Sequence, residues 1–366
     1  MCIRDSITTI GSTDGYKWGN SNAFYEKGGL REGDPGVESL TWETVKKANV
    51  GIELGLFKMA ELQVDFFHER REDIFMQRKN IPSSAGFPSA PWANYGIVTN
   101  KGFDISLDLN KQINKDWFIS ARASVTYAKN KIIEQDEDLG VLGTYRSSTG
   151  KPVGQIFGLV NDGLYTEADF EDVTTGKLKP GLPVPKFSDR VYPGDIKYVD
   201  FNGDGEITET DKTAIGGTVN PELVYGFGIN LSYKNIDFGA FFQGNGRTYR
   251  IIGENQKNFL PGSTIGAEGN IFTNASDAWT VDNPSQDVFY PRLHMGYNAN
   301  NAQVSDWWLK DMSIKKAAME YARIFVRGTN LLQFSKFDLW DPELNTSNGL
   351  KYPIMATYSI GLRVRF

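Results

Sequence analysis

The stretch ATYSIGLRVRF, residues 356–366, alternates strictly between two kinds of side chain. A period of two is the pattern of a β-strand whose two faces meet different surroundings. Terminal residues without partners fray in water, so a terminal strand this regular must be paired along its length. The apolar members are Tyr358, Ile360, Leu362, Val364 and Phe366, and small or charged residues stand between them.

The same alternation recurs along the chain. Clear runs occur at residues 48–56, 62–66, 103–109, 119–127, 225–233 and 236–242, and weaker ones at 309–314 and 322–328. With the terminal strand, the pattern predicts about nine strands, each long by the standard of soluble sheets.

The connections between these runs alternate in length. Short turns are predicted at residues 57–60, 111–115, 234–235 and 315–320, and long loops at 74–99, 131–222, 244–306 and 331–354. Short periplasmic turns at one end and long extracellular loops at the other describe an outer-membrane barrel. The predicted fold class is therefore all-β, a transmembrane antiparallel β-barrel with long extracellular loops.

The alternation also predicts which face of each strand meets lipid. In a membrane barrel the apolar face contacts lipid and the polar face lines the lumen. We expect these side chains to face lipid: Ile52, Leu54, Ile105, Leu107, Ile229, Leu231, Ile360 and Leu362. We expect these to face the lumen: Glu53, Asp104, Arg122, Arg363 and Arg365.

Aromatic residues at the strand ends support this architecture. Rings collect at both membrane interfaces of such barrels. Beside the short turns and at the chain end lie Phe57, Trp117, Tyr233, Tyr321 and Phe366. At the long-loop ends lie Trp42, Tyr127, Tyr225, Trp308 and Tyr358.

Composition excludes several classes of protein. The 366 residues are 40% hydrophobic and 23% charged, which is neither disordered nor low-complexity. No apolar run is long enough for a membrane-spanning helix, which needs roughly 18–20 residues. The formal net charge of −6 and the lack of a Lys/Arg cluster argue against nucleic acid. The single Cys2 excludes an internal disulfide framework.

Motifs for catalysis are missing from the sequence. His68 and His294 stand far apart without metal-ligand spacing, and no nucleophile elbow or phosphate-binding loop is present. The acidic run QDED, residues 135–138, has the composition of a solvated loop. We therefore expect no enzyme. Loop aromatics are candidates for sugar or partner contacts, although packing within the loops is the simpler role for each: Trp92, Phe157, Tyr165, Tyr249, Trp279 and Trp340.

One loop segment has the spacing of a calcium site. DFNGDGEITETD, residues 200–211, places oxygen-bearing residues at positions one, three, five and twelve of an EF-hand-like loop and a glycine at position six. Position twelve is an Asp where a bidentate Glu is usual, and an Asx-rich turn without metal is the alternative. The predicted role is a structural Ca²⁺ that orders the long loop. The predicted ligands are Asp200, Asn202, Asp204, Glu206 through its carbonyl, and Asp211.

Four segments resemble the SusC/RagA-type TonB-dependent transporters of Bacteroidetes outer membranes. They are LTWETVKKANVGIELGLF (residues 40–57), GKPVGQIFGLVNDGLY (150–165), PGDIKYVDFNGDGEITETDKTAIGGTVNPELVYGFG (193–228) and ARIFVRGTNLLQFSKFDLWDPE (322–343). The third is the most specific. The resemblance covers nearly everything from residue 40 to residue 366.

The resemblance implies an importer of oligosaccharides or peptides that works with a SusD-like surface lipoprotein and draws energy from TonB. Barrels of that family have 22 strands around an N-terminal plug, and this chain matches about the last nine. We therefore expect contact with TonB through an N-terminal part that this chain lacks. Residues 1–40 are expected to be a truncated start in an extracellular loop, with foreign residues at the very beginning, and residues 41–366 to be barrel.

The sequence is also compatible with two other functions. One is a passive porin, which strands alone do not exclude. The other is a soluble calcium-dependent β-protein that binds or hydrolyses glycans; its apolar strand faces would need a second covering layer.

Overall fold

The computed structural model describes residues 8–362 except 21–22, 34, 38, 88, 235, 254–258, 263–271, 323, 348, 350 and 353. The expected lumenal position of Arg363 and Arg365 and the terminal Phe366 lie outside the described residues. So do the side chains of Ile360 and Leu362, although their strand is described.

Nine strands form one sheet whose spatial order is the order of the chain. They are β1 (Thr44–Leu56), β2 (Ala60–Gln77), β3 (Trp92–Gln112), β4 (Trp117–Glu134), β5 (Leu223–Tyr233), β6 (Ile236–Gly246), β7 (Ile314–Ala322), β8 (Ile324–Phe334) and β9 (Thr357–Leu362). The pairs from β4 to β9 are antiparallel. The predicted number of strands and the alternation of short and long connections are confirmed. The predicted strand at residues 309–314 is wrong, because Leu309–Asp311 pairs with Tyr249–Ile251 outside this sheet and β7 begins at Ile314. None of the helices in the described part of the chain has the length and hydropathy to cross a bilayer.

The chain divides into two compact units. The first comprises Met1–Val50, Phe66–Gly102 and Lys129–Val153, and the second comprises Gly51–Asp65, Phe103–Ala128 and Gly154–Phe366. Several sheet strands contribute to both.

In the second unit, cross-strand register sorts the side chains into two faces. Residues directly opposite each other on neighbouring strands share a face. Ile229 is opposite Ala121 and Ala240, and Leu231 is opposite Ile119 and Phe238. One face of β4–β6 is therefore continuous and apolar.

The opposite face of these strands is more polar, with Ser120, Arg122, Ser124, Asn230 and Gln243, although it also carries Phe118, Val224 and Phe241. Arg122 is opposite Gly228 on β5, and its Nε lies 2.5 Å from Oδ1 of Asp108 on β3. Asp108 therefore lies on the face of Arg122. By alternation Asp104 and Ser106 share that face, whereas Ile105 and Leu107 lie on the other. The predicted division of these residues between two faces is confirmed.

The turn between β1 and β2 has unusual backbone geometry. Phe57 and Lys58 have φ values of 55° and 52°, and the Met59 amide donates to the Leu56 carbonyl at 3.0 Å. Two successive positive φ angles define the type I′ turn, whose twist matches that of the flanking strands. Such turns favour Asn-Gly, so Phe57 and Lys58 hold a conformation that ordinary side chains adopt at a cost.

The predicted turn at residues 315–320 is wrong, because β7 runs through this segment. Lys316 pairs with Gln243 of β6 and Ala317 with Phe242, and the hairpin instead turns between Ala322 and Ile324. Consecutive alanines and two lysines give little hydrophobic contrast between the two faces, so the period of two is weak here.

The long loops of the second unit carry short strands of their own. These are Gln155–Gly158, Asn161–Leu164, Phe170–Asp172, Lys177–Leu178, Val184–Pro185, Ile196–Tyr198, Glu206–Ile207, Thr213–Thr218, Tyr249–Ile251 and Leu309–Asp311. Single 3₁₀ turns occur at Glu167–Asp169, Glu209–Asp211, Thr273–Ser276 and Pro342–Leu344.

The first unit contains a hairpin that the sequence did not predict. Ile10–Asn20 pairs antiparallel with Ala23–Glu32 within the region expected to be a loop. This unit also holds the 3₁₀ turn Ser83–Ala85. Glycines and polar residues interrupt the alternation in both hairpin strands, so a period of two does not reveal these strands in the sequence.

The acidic run at residues 135–138 is not a solvated loop. Asp136 and Glu137 are 7% and 8% exposed. Asp136 accepts hydrogen bonds from Arg78 Nε and the Lys79 amide, both at 2.7 Å, while Glu137 accepts from Ser147 Oγ at 2.6 Å. These two carboxylates are buried because each satisfies several donors of the surrounding loops.

Candidate functional site

The long loops of the second unit pack around a shared hydrophobic core, which we call the loop core. Its buried members come from three loops far apart in sequence: Leu159, Leu164, Ile196, Tyr198, Ile207, Ile215, Ile251, Ile252, Phe259, Leu260, Ala278, Trp279, Tyr290, Trp308, Met312 and Phe337. Since no one loop buries its apolar residues alone, the three loops fold as one body.

Aromatic rings dominate the loop core. The ring of Phe259 has its centroid 5.7 Å from that of Tyr290 and 5.8 Å from that of Trp308. Trp308 is 1% exposed, so its predicted place in an interfacial girdle is wrong. Phe259 and Trp340 also contact each other, at 6.1 Å.

Most of the loop aromatics considered as ligand contacts serve packing. Tyr165 is fully buried, Trp279 is 6% exposed, and Trp340 packs against the loop core. Trp92 in the first unit stacks on Phe75 at 5.2 Å but remains 38% exposed. Burial raises the pKa of the Tyr165 hydroxyl, chiefly through desolvation. These rings are therefore framework for the loops.

A polar junction joins two of the loops inside the loop core. Asp195 is fully buried and its Oδ1 accepts from Asn301 Nδ2 at 2.8 Å and lies 2.5 Å from His294 Nε2. Beside it Gly194 has a φ of 92°, and a Cβ there would meet the Trp279 ring at 2.3 Å. A glycine is thus required here by both backbone conformation and space.

Three of the predicted calcium ligands, Asp200, Asn202 and Asp204, lie in one turn of the loop. Asp200 accepts from the amides of Gly203 and Gly205 at 2.7 and 2.8 Å, and Asn202 Oδ1 accepts from the Asp204 amide at 2.9 Å. Gly205 has a φ of 82°, as the sharp turn at position six requires. Burial raises the pKa of the Asp200 carboxyl, but the amides of Gly205 and Gly203 outweigh it and hold that pKa below its usual value.

The last two predicted ligands are used differently. Glu206 forms an ion pair with Lys186 at 2.8 Å. Asp211 is fully buried and accepts from the amides of Phe201 and Thr208 at 3.0 and 2.8 Å. Among the residues that the structure describes, no three His, Cys, Asp or Glu side chains converge as metal ligands would. Carboxylate and amide oxygens are suitable ligands for calcium. In the structure, however, these oxygens accept hydrogen bonds from backbone amides.

Comparison with known proteins identifies the family of this sheet and its loops. The sequence profile described as "TonB dependent receptor-like, beta-barrel" matches residues 8–331. The chain belongs to this family of outer-membrane proteins. The nine-stranded sheet is accordingly part of a β-barrel wall, and the predicted resemblance is confirmed at this level.

Curated relatives and solved structures agree with this assignment. TonB-dependent receptor P26 of Formosa agariphila is 30% identical over 92% of this chain and 36% of its own length. TonB-dependent receptor SusC of Bacteroides thetaiotaomicron is 20% identical over 90% of this chain and 32% of its own length. The structure of the RagAB peptide importer in the open-open state matches with a TM-score of 0.67 and 21% identity, over 98% of this chain and 38% of that one. The chain thus spans about a third of the length of the curated relatives it matches.

Proposed function

We propose that this chain is part of a TonB-dependent outer-membrane importer that takes up oligosaccharides or peptides. Its family membership over residues 8–331 carries the proposal. The continuous apolar face of β4–β6 supports placement of these strands in lipid, and the common loop core supports a stable extracellular body.

The proposed partners follow from the relatives. A SusD-like surface lipoprotein would associate with the extracellular loops, and TonB would act through a part of the protein outside this chain. The likeness to SusC and the fold of the RagAB importer support this assignment. In that assembly the chain supplies barrel wall and loops, and it carries out no covalent chemistry.

We also propose that the turn at residues 200–211 binds one Ca²⁺. The oxygen spacing and the positive φ of Gly205 support a site for a hard cation. Its role would be structural, since the neighbouring Ile207 is part of the loop core.

Uptake by cells tests the importer proposal. Cells producing the full-length protein are given radiolabelled oligosaccharides and, separately, labelled peptides, with TonB intact or inactivated. We expect uptake of one class that is lost without TonB, because active import needs the energised complex. Uptake that persists without TonB would instead indicate a passive porin.

A further inference from the structure

A cavity of about 150 Å³ lies where β6 ends and β7 begins, entirely within the second unit. Of the strand residues that line it, Asn245 and Ile314 are directly paired and lie on the face of Arg122 and Gln243. That face is opposite the apolar one. The other walls come from three loop segments, at residues 219–221, 248–250 and 342–345, and from Met312.

A buried lysine fixes the third wall. The Lys316 side chain is 5% exposed, and its Nζ lies 2.6 Å from Glu343 Oε2 and 3.7 Å from Asp341 Oδ2. Asp341 in turn accepts from the Glu343 amide at 3.0 Å and so begins the turn Pro342–Leu344. A buried ammonium is tolerated only when it is paired, so these contacts hold the carboxylate of Glu343 at the cavity.

The segment at residues 248–250 presents a guanidinium to the cavity. Arg250 donates from Nη2 to Asn345 Oδ1, and Asn345 has a φ of 47°, a conformation that Asn tolerates better than most residues. One of the five guanidinium donors serves this bond. Arg250 and Glu343 therefore carry one positive and one negative charge at the cavity. Lys316 and Asp341, which lie behind Glu343, add one further charge of each sign.

The remaining lining is apolar or aromatic. Val219, Pro221, Met312 and Pro342 contribute hydrocarbon. Tyr249 also lines the cavity, and its ring rests against the backbone of Gly217, where a Cβ would approach it to 3.0 Å. An aromatic ring and hydrocarbon beside a few fixed polar groups are the usual composition of a small-molecule site.

We infer that this cavity binds one sugar ring of the imported ligand, which deepens the proposed function and rests on it. A pyranose is uncharged, as suits a site whose ionic groups balance. Its neighbouring hydroxyls donate to the carboxylate and accept from the guanidinium and amides, and its C–H face packs on Tyr249. A cavity of comparable volume admits one benzene ring, so the site takes no more than one sugar ring, and the rest of the oligosaccharide stays outside.

The test measures binding without transport. Full-length protein in detergent is titrated calorimetrically with defined trisaccharides of glucose, mannose, galactose and xylose, and with trialanine as the peptide probe. Arg250→Gln removes the guanidinium, and Val219→Trp fills the cavity without removing any charge. Arg247→Gln is the matched control, because Arg247 bonds Glu222 at 3.1 Å and does not line the cavity.

We expect at least one trisaccharide to bind to the unmodified protein. Its affinity should be at least tenfold lower for Arg250→Gln and for Val219→Trp, and within twofold of the unmodified protein for Arg247→Gln. Protease resistance of the loops confirms that each variant folds. The inference is overturned if no trisaccharide binds, if trialanine alone binds, or if both cavity variants bind normally. TonB-dependent uptake, measured separately, distinguishes these outcomes from failure of the importer proposal.

Discussion

Arg78 and Asp136 are 58 positions apart in the chain, yet Nε of Arg78 lies 2.7 Å from Oδ2 of Asp136. Arg78 directly follows β2, and Asp136 comes two residues after β4. Within the first unit, this ion pair and the Lys79 and Asn80 amides join the loops that follow two strands. The acidic run is thus structural.

Asp136→Asn should weaken these loops. The change removes a buried, charge-assisted set of hydrogen bonds, and we expect a cost of about 1–3 kcal/mol in local stability. Hydrogen exchange of residues 136–150 in the full-length protein measures it. Asp138→Asn is the control, because Asp138 is exposed. Equal exchange in the two variants would contradict a structural role for Asp136.

The same contacts predict a dependence on pH. Burial raises the pKa of Asp136, but the hydrogen bonds from Arg78, Asn80 and Lys79 together lower it below its ordinary value. A depressed pKa in the folded state gives stability that is present above the unfolded value of about 3.9 and is lost as pH falls through the folded value. Protection of these loops from hydrogen exchange should therefore decline only below about pH 4. The decline should be less steep in Asp136→Asn. A decline centred near pH 6 would contradict this assignment.

The calcium proposal predicts a change in proteolysis. Asp204→Ala should raise cleavage between Lys186 and Lys212 in the full-length protein, and so should a chelator, without loss of barrel folding. Bound ion stabilises the folded loop according to its affinity and concentration. Glu209→Ala is the control, since Glu209 pairs with Lys212 and is not a predicted ligand. Identical cleavage with calcium and with chelator would show that residues 200–211 form an Asx-rich turn that binds no metal.

The type I′ turn predicts a stabilising substitution. Lys58→Gly removes the cost of a positive φ and should raise the free energy of unfolding by about 1 kcal/mol. Lys115→Gly, in the turn between β3 and β4, should not stabilise, because Lys115 does not have a positive φ. Urea unfolding of the full-length protein in lipid vesicles compares the two variants. Equal effects would show that the backbone at residue 58 is unstrained.

Leu107 and Ser106 are adjacent residues of β3 that lie on opposite faces. Arg at a lipid-facing position near the bilayer centre costs roughly 2–4 kcal/mol, whereas Arg on the lumenal face is tolerated. Leu107→Arg should therefore lower refolding stability by that amount, and Ser106→Arg should have little effect. Equal tolerance of both substitutions would reverse or abolish the proposed sidedness.

Local alternation explains why much of the sheet could be predicted from sequence. In Phe227, Ile229 and Leu231 the contrast between neighbouring side chains directly reflects the two faces of β5. The signal fails in β7, where two identical alanines, Ala317 and Ala318, follow two lysines and give no contrast along the sequence. Turn position there depends on pairing with β6, which no local window contains.

The loops could be predicted much less well. Trp279, Tyr290 and Trp308 meet Ile196 and Tyr198 in one core, but no periodicity relates residues about a hundred positions apart. The same holds for Asp195 and His294, which are 99 positions apart. Lys316 and Glu343 are only 27 positions apart, but they lie in different elements, so no local pattern relates them either. Within the loops, the turn at residues 200–211 could be predicted from its glycine spacing, because a positive φ is a requirement of the local backbone.

One face of β4–β6 is expected to contact lipid, and the other to face the barrel lumen. Spin labels are placed singly at residues 227–232 of β5, in full-length protein whose native cysteines are replaced by serine and which is reconstituted in vesicles. Accessibility to oxygen, which concentrates in the bilayer, should peak at 227, 229 and 231. Accessibility to a water-soluble nickel complex should peak at 228, 230 and 232. In-phase profiles, or oxygen maxima at the even positions, would contradict the account.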